Sequence, residues 1–110
     1  ILDYAISKVT ISDIPPKNRD MIYFRLGDIK AKSLDYKGAI EFYNQVSQNS
    51  PYYPQALYGK GLVYLSANQP DPAIRTFQQM RALYDKAPIT DTNKVIATLS
   101  LARAFYQKQD

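Results

Sequence analysis

The same pattern of residues occurs twice in this chain, first as LGDIKAKSLDYKGAIEFY (residues 26–43) and again as KGLVYLSANQPDPAIRTF (residues 60–77). The two copies lie 34 residues apart, and every matching position keeps that spacing. A period of roughly 20 to 50 residues is typical of proteins built from stacked repeats. The chain is therefore predicted to be a repeat array. The matching pairs are Gly27 and Gly61, Ala39 and Ala73, Ile40 and Ile74, Tyr43 and Phe77, and Val46 and Met80.

Hydrophobic spacing predicts that the first copy is a hairpin of two helices. Apolar and small residues recur three and four positions apart over residues 20–31, and again from residue 36 to about residue 48. The segment Ser33–Asp35 interrupts the pattern and supplies side chains that cap helices. Pro51 ends the second helix, because proline lacks the backbone N–H that a helix interior requires.

The second copy repeats this hairpin, and one more helix follows it. A helix is predicted over residues 54–67, and the next begins at Asp71 and Pro72 and runs to about Asp85. Beyond Pro88, a last helix is predicted to start at a capping side chain, for which Thr90, Asp91 and Thr92 are the candidates. The apolar face predicted for this last helix consists of Val95, Leu99, Ala102, Phe105 and Tyr106.

The beginning of the chain carries half of the same pattern. Ala5 lies one period before Ala39, and residues 2–4 (LDY) match residues 34–36. The fold class predicted is all-α, a right-handed superhelical array of antiparallel helix hairpins, or α-solenoid, cut from a longer protein. Its predicted parts are residues 1–17 (second helix of a preceding unit), 20–53 (a repeat), 54–87 (a repeat) and 88–110 (first helix of a further unit).

Composition and charge narrow the classes of function. The 14 basic and 10 acidic residues give a net charge of +4, but they are interspersed without a Lys/Arg block, which favours solvated surfaces over a nucleic-acid site. No apolar run approaches the roughly 18 residues of a membrane-spanning helix. We therefore expect neither a nucleic-acid partner nor membrane insertion, and the sequence leaves the compartment open.

The chain is also predicted not to be an enzyme. It contains no Cys and no His, which excludes thiol nucleophiles, imidazole bases and the usual zinc ligands. No phosphate-binding glycine loop or nucleophile elbow occurs, so we expect no catalytic residue, cofactor or metal. Asp28 is interpreted as a surface charge, and Asp35 and Asp71 as helix starts.

The repeats resemble those of the tetratricopeptide repeat family, whose signature has an aromatic residue, Leu-Gly and Tyr in the first helix and Ala, Phe and Pro around the second. Lys30 and Lys60 depart from it, and no Trp is present. The matching positions are Tyr23, Leu26, Gly27, Ala39, Tyr43 and Pro51 in the first repeat, Leu57, Gly61, Tyr64, Ala73 and Phe77 in the second, and Leu101, Ala102, Phe105 and Tyr106 in a partial third.

The third repeat is displaced by seven extra residues. Met80 and Ala102 are 22 residues apart, whereas the equivalent Val46 and Gly61 are 15 apart. Ile89 is either a loop residue that folds back over the preceding helix or part of a longer helix. We favour a longer helix followed by a loop.

The resemblance implies a module that binds a protein or peptide in a concave groove lined by the first helices. We expect the groove on the face of each first helix that does not contact its own second helix. An apolar peptide or helix is the expected ligand, with Lys32 and Arg103 fixing its direction through an acidic group. The predicted groove residues are Phe24, Asp28, Ala31, Lys32, Tyr58, Leu62, Leu65, Leu99, Arg103 and Tyr106.

Two alternatives remain open at this stage. The groove can be filled by flanking helices of the parent chain, so that its apolar strip is packing between repeats. The array can also be a structural scaffold or assembly subunit of a larger complex, which associates with itself or packs through its terminal helices.

Overall fold

The computed structural model describes residues 14–109, and all the regular elements in this part of the chain are α-helices. This confirms the all-α fold class. The predicted helix at the beginning of the chain lies outside the described residues. The helices are α1 (Pro16–Lys32), α2 (Tyr36–Asn44), α3 (Tyr53–Ser66), α4 (Pro70–Ala82) and α5 (Thr92–Gln109).

The chain divides into two compact units, Ile1–Ala56 and Leu57–Asp110, called here the N-terminal and C-terminal units. The helices α1 and α2 form the described core of the first unit. Most of α3 lies in the second unit with α4 and α5. None of the described helices is both long and apolar enough to cross a membrane.

The N-terminal hairpin differs from prediction at both of its outer ends. The helix α1 begins at Pro16, four residues before the predicted start, because proline suits the first turn of a helix. The helix α2 ends at Asn44 rather than near Gln48. Beyond that end, the backbone N–H of Ser47 donates to the Asp20 carboxylate at 3.0 Å, which ties this segment to the start of α1.

Both hairpins close with the same turn. Leu34 and Asn68, one repeat period apart, have positive φ angles of 65° and 60°. The amide after each donates to a carbonyl five residues earlier in the chain, from Asp35 to the Lys30 carbonyl and from Gln69 to the Tyr64 carbonyl. A left-handed residue with this bond is the Schellman ending, which satisfies the last carbonyls of a helix.

The capping predictions have mixed outcomes. Asp35 accepts a hydrogen bond from the backbone N–H of Gly38, and Asp91 accepts one from Lys94, each at 3.0 Å, so both caps are confirmed. The prediction for Asp71 is wrong, because α4 begins at Pro70 and Asp71 lies within its first turn. Its carboxylate pairs instead with Lys108 at 2.9 Å.

The predicted extension of the helix beyond Ala82 is wrong. Residues 83–91 form turns, and Ile89 is 83% exposed rather than packed on α4. Lys94 stabilises the turns in this segment, because its ammonium donates to the backbone carbonyls of Asp85 and Ala87 at 3.1 and 3.0 Å. These bonds satisfy carbonyls that a longer helix would have paired internally.

An aromatic ring against a glycine forms the centre of each hairpin. A Cβ atom built on Gly27 would lie 2.6 Å from the Tyr43 ring, and the Phe77 ring covers Gly61 in the same way. Ala39 and Ala73 are fully buried. As the sequence predicted, small residues at these positions let the helices approach closely.

The predicted apolar face of α5 is wrong in orientation. The buried residues of α5 are Ala97 and Ala104, which are fully enclosed. The signature residues Ala102, Phe105 and Tyr106 face away from the core of the unit. The residues of the predicted apolar face, Val95, Leu99, Ala102, Phe105 and Tyr106, are all exposed.

Candidate peptide-binding surfaces

The ten predicted groove residues are divided between the two units. In the N-terminal unit, Phe24, Asp28 and Ala31 on α1 are half-buried and Lys32 is exposed. In the C-terminal unit, three predicted residues belong to α3 and three to α5. Those six are Tyr58, Leu62, Leu65, Leu99, Arg103 and Tyr106.

Phe24 contacts the second helix of its own hairpin. The prediction that it lies on a face free of that helix is therefore wrong. Its ring centroid is 6.2 Å from that of Tyr43 on α2 and 5.6 Å from that of Tyr52. These separations are typical of packed aromatic pairs. Phe24 therefore supports the fold of the N-terminal unit as well as contributing to its surface.

Asp28 also contacts α2, which corrects its interpretation as a surface charge. The Tyr43 hydroxyl donates to the Asp28 carboxylate at 2.5 Å. Burial raises the pKa of Tyr43 well above its ordinary value, and the hydrogen bond to the Asp28 carboxylate and the charge of that group raise it further. Tyr43 is therefore a neutral phenol that donates its hydrogen bond to the Asp28 carboxylate.

The equivalent pair in the C-terminal unit is apolar on both sides. One period after Asp28 and Tyr43 come Leu62 and Phe77. The hydroxyl and its carboxylate acceptor are thus absent together. This agrees with the rule that a polar group within a protein contact requires its partner.

A double-mutant cycle on Asp28 and Tyr43 tests this matching. Asp28→Leu or Tyr43→Phe alone is expected to lower the free energy of unfolding by about 1–3 kcal/mol, because each leaves one polar group without its partner. The double variant, which copies the Leu62–Phe77 pair, is expected to lose less than the sum. Urea denaturation of the four proteins measures the coupling, and strictly additive losses would contradict it.

The same pair predicts a loss of stability in alkaline solution. The folded-state pKa of Tyr43 lies above the ordinary value of 10.0, so the folded chain keeps a proton that the unfolded chain releases. The contribution of this hydroxyl is complete below about pH 10 and falls as the pH rises beyond it. Tyr43→Phe should reduce that fall relative to the native chain, as measured by thermal denaturation across this range.

In the C-terminal unit, Tyr58 and Leu65 differ from the predicted exposed strip. The ring centroid of Tyr58 lies 6.4 Å from that of Phe77, so Tyr58 contacts its own second helix and is 36% exposed. Leu65 is only 6% exposed, so its predicted place on a solvent-facing strip is wrong.

Lys60 lies in the same helix, at the repeat position that the fully buried Leu26 occupies in α1. Burial lowers the pKa of Lys60.

The helix α5 is joined to α3 and α4 by polar contacts near its two ends. The Gln107 side-chain amide donates to the Leu65 carbonyl at 3.1 Å, and Arg81 on α4 donates to the Thr98 hydroxyl at 3.0 Å. These contacts leave Leu99 and Tyr106 on the surface, 64% and 69% exposed. Arg103 is exposed on the same helix.

Sequence reasoning did not anticipate a cleft of about 780 Å³ in the N-terminal unit. It lies between the start of α1 and the segment that follows α2, where Ser47 bonds to Asp20. Arg19 lines it and donates to the Ile14 carbonyl at 2.8 Å. Other lining residues are Asn18, Met21, Tyr23, Asn49 and Tyr52.

Comparison with known proteins identifies a family and one relative. The sequence profile of the tetratricopeptide repeat family matches residues 29–90, more than half of the chain. The chain is 32% identical over 72 residues to the photosystem I assembly protein Ycf3 of Rippkaea orientalis, a match that spans 66% of this chain and 42% of the relative. The chain thus covers less than half of that protein's length. No solved structure matches significantly.

Proposed function

Because this chain belongs to the tetratricopeptide repeat family, we propose that it is a non-enzymatic interaction module that binds an apolar peptide or helix. Domains of this family are generally interaction modules, which supports a protein partner. The repeats proposed to carry the binding surface are residues 20–53 and 54–87, followed by the first helix of a further unit.

The observation that carries this proposal is the surface of α5. Leu99 and Tyr106 expose most of their side chains, with Arg103 between them in sequence. Solvated apolar side chains grouped on one element are typical of contact sites, and Tyr and Arg are enriched among residues that dominate binding. Arg103 is suited to an acidic group on the ligand because its guanidinium forms paired hydrogen bonds with a carboxylate.

On α1 and α3, the surface includes residues that also support the fold. Tyr58 and Leu62 extend the proposed surface in the C-terminal unit. In the N-terminal unit, the proposed surface includes Phe24, Ala31 and Lys32, and the carboxylate of Asp28 accepts the hydrogen bond from Tyr43. Substitutions at Phe24 or Tyr58 therefore do not separate binding from folding, whereas substitutions on α5 do.

A peptide-display selection followed by titration tests this function. A motif rich in apolar residues and carrying one acidic group is expected to be enriched by the native chain. Leu99→Ala with Tyr106→Ala should weaken binding of that peptide by about tenfold or more, and Arg103→Glu should weaken it most for the acidic peptide. Ile89→Ala, in the exposed loop, is the matched control and should bind as the native chain does. Failure to enrich any apolar motif, or equal binding by all variants, would overturn the proposal.

The second candidate is an assembly scaffold that associates with itself or packs through its terminal helices. The relative is named for an assembly role, which supports this function without establishing it for this chain. The exposed apolar side of α5 also favours it, because repeat arrays normally cover such faces. Light scattering of the purified chain tests it, and complexes larger than the 12.5 kDa monomer are the expected result.

A further inference from the structure

The cleft between the start of α1 and the segment after α2 is lined by two tyrosines that the repeat does not require. Its volume of about 780 Å³ lies within the range of about 300–1,000 Å³ that is typical of ligand sites. One repeat period later, Leu57 stands in the place of Tyr23. Lys86 likewise stands in the place of Tyr52. The glycine–aromatic contact recurs in both hairpins whereas these tyrosines do not, so the shared hairpin packing does not account for them.

Other rings hold the two tyrosine rings of the cleft in place. Tyr23 belongs to α1, and its ring centroid is 6.5 Å from that of Phe42 on α2. Tyr52 belongs to the segment after α2, and its ring centroid is 5.6 Å from that of Phe24. Both tyrosines are half-buried, so part of each side chain stays accessible. Rings fixed in this way offer apolar surfaces to a ligand with little further loss of side-chain entropy.

The two charged side chains that line the cleft already have partners. Arg19 donates to the Ile14 carbonyl at 2.8 Å, and the Asp20 carboxylate accepts from the backbone N–H of Ser47 at 3.0 Å. Arg19 and Asp20 carry opposite charges, so the charges of the lining side chains cancel. Electrostatic complementarity therefore favours an uncharged ligand over a nucleic acid or an acidic peptide.

Neutral amides are the polar side chains of the cleft that are available to a ligand. Asn18, Gln45 and Asn49 line the cleft and are exposed, and their side-chain amides make no hydrogen bond within residues 14–109. Each amide carries two N–H donors. Such donors suit a ligand whose backbone carbonyls are unpaired. A helical ligand does not meet this condition, because most of its carbonyls are bonded within the helix.

We infer that this cleft binds a proline-rich segment of another protein in the polyproline II conformation. This conformation has no internal hydrogen bonds, so its carbonyls can accept from the amides of the cleft. Proline has no backbone N–H, so the ligand brings few donors that need acceptors. Proline rings pack on aromatic side chains such as Tyr23 and Tyr52, and the preformed backbone loses little entropy on binding. This second site differs in chemistry from the apolar-peptide surface proposed above and does not depend on it.

Fluorescence anisotropy of a labelled oligoproline peptide, titrated with the full chain, tests the inference. The native chain is expected to bind this peptide and not a glycine–serine peptide of the same length. Asn18→Ala with Asn49→Ala should weaken oligoproline binding by about tenfold or more, because two hydrogen bonds are lost. Tyr52→Leu keeps an apolar side chain without the ring and should weaken binding by a similar factor.

Two control variants locate the binding site. Asn44→Ala with Asn93→Ala removes exposed amides of the same type outside the cleft and should bind oligoproline as the native chain does. Leu99→Ala with Tyr106→Ala alters the surface of α5 and should also leave this binding unchanged. Circular dichroism checks that every variant is folded.

Three results would overturn the inference. Absence of oligoproline binding at every attainable chain concentration would show that the cleft does not take this conformation. Equal binding of the glycine–serine peptide would show that proline is not recognised. Oligoproline binding that the cleft substitutions leave unchanged would show that the ligand binds elsewhere. The apolar peptide proposed for α5 is tested with its own ligand, so none of these results decides that function.

Discussion

Replacement of Phe77 by alanine is expected to lower the free energy of unfolding of the C-terminal unit by about 3–5 kcal/mol. The Phe77 side chain is fully buried, covers Gly61 and packs against the Tyr58 ring. Its removal loses the transfer free energy of the ring and leaves a cavity that the short helices of a hairpin cannot close completely. Urea denaturation measures the total loss, and hydrogen exchange shows whether α3 and α4 are the helices that open.

Tyr106→Ala is the control for this prediction. The residue is also aromatic and lies in the same unit, but 69% of its side chain is exposed. Its removal should change the free energy of unfolding by less than about 0.5 kcal/mol. Comparable losses from Phe77→Ala and Tyr106→Ala would mean that the glycine–aromatic contact is not the centre of this unit.

Gly27→Leu is expected to lower the free energy of unfolding of the N-terminal unit by about 1–3 kcal/mol or more. Even the first carbon of the new side chain would lie 2.6 Å from the Tyr43 ring. That ring cannot move aside easily, because Tyr43 is buried and its hydroxyl is bonded to Asp28. The clash should exceed the gain of about 1 kcal/mol that a helix obtains when glycine is replaced by a good helix former. Thermal and urea denaturation measure the net effect.

The chain provides a matched control at the equivalent position of α5. Ala102 is exposed, so Ala102→Leu in dilute solution should change stability by less than about 0.5 kcal/mol. If Gly27→Leu were equally tolerated, the close approach of α1 and α2 would not depend on the glycine. The two substitutions thus separate a covered repeat position from an open one.

The polar pair in one hairpin and the apolar pair in the other show how the repeats diverge. Asp28 with Tyr43 and Leu62 with Phe77 occupy the same positions. Changing only one member of the polar pair would leave the other without this hydrogen bond.

The candidate surface could be predicted only in part, and the errors have a common cause. The positions of Phe24, Asp28 and Tyr58 were assigned from helical spacing, which gives the direction of a side chain but not its reach. Their side chains are long enough to contact the second helix from the edge of the first. Equivalent positions also differ in burial between the repeats. Leu65 is buried, whereas Ala31, which lies 34 residues earlier at the same repeat position, is half-buried.

The periodic pattern was sufficient to predict the helix pairs, their turns and the all-α class, because these depend on residues close together in the chain. The Gly27 and Gly61 contacts were also predictable, since the period places small residues at matching points of both hairpins. The end of α4, the exposed side of α5 and the Tyr43–Asp28 bond required the folded structure. The last two involve residues far apart in sequence, with Tyr43 15 residues from Asp28 and Gln107 42 residues from Leu65. The end of α4 depends on bonds from the Lys94 side chain to backbone carbonyls, whose geometry a linear pattern does not contain.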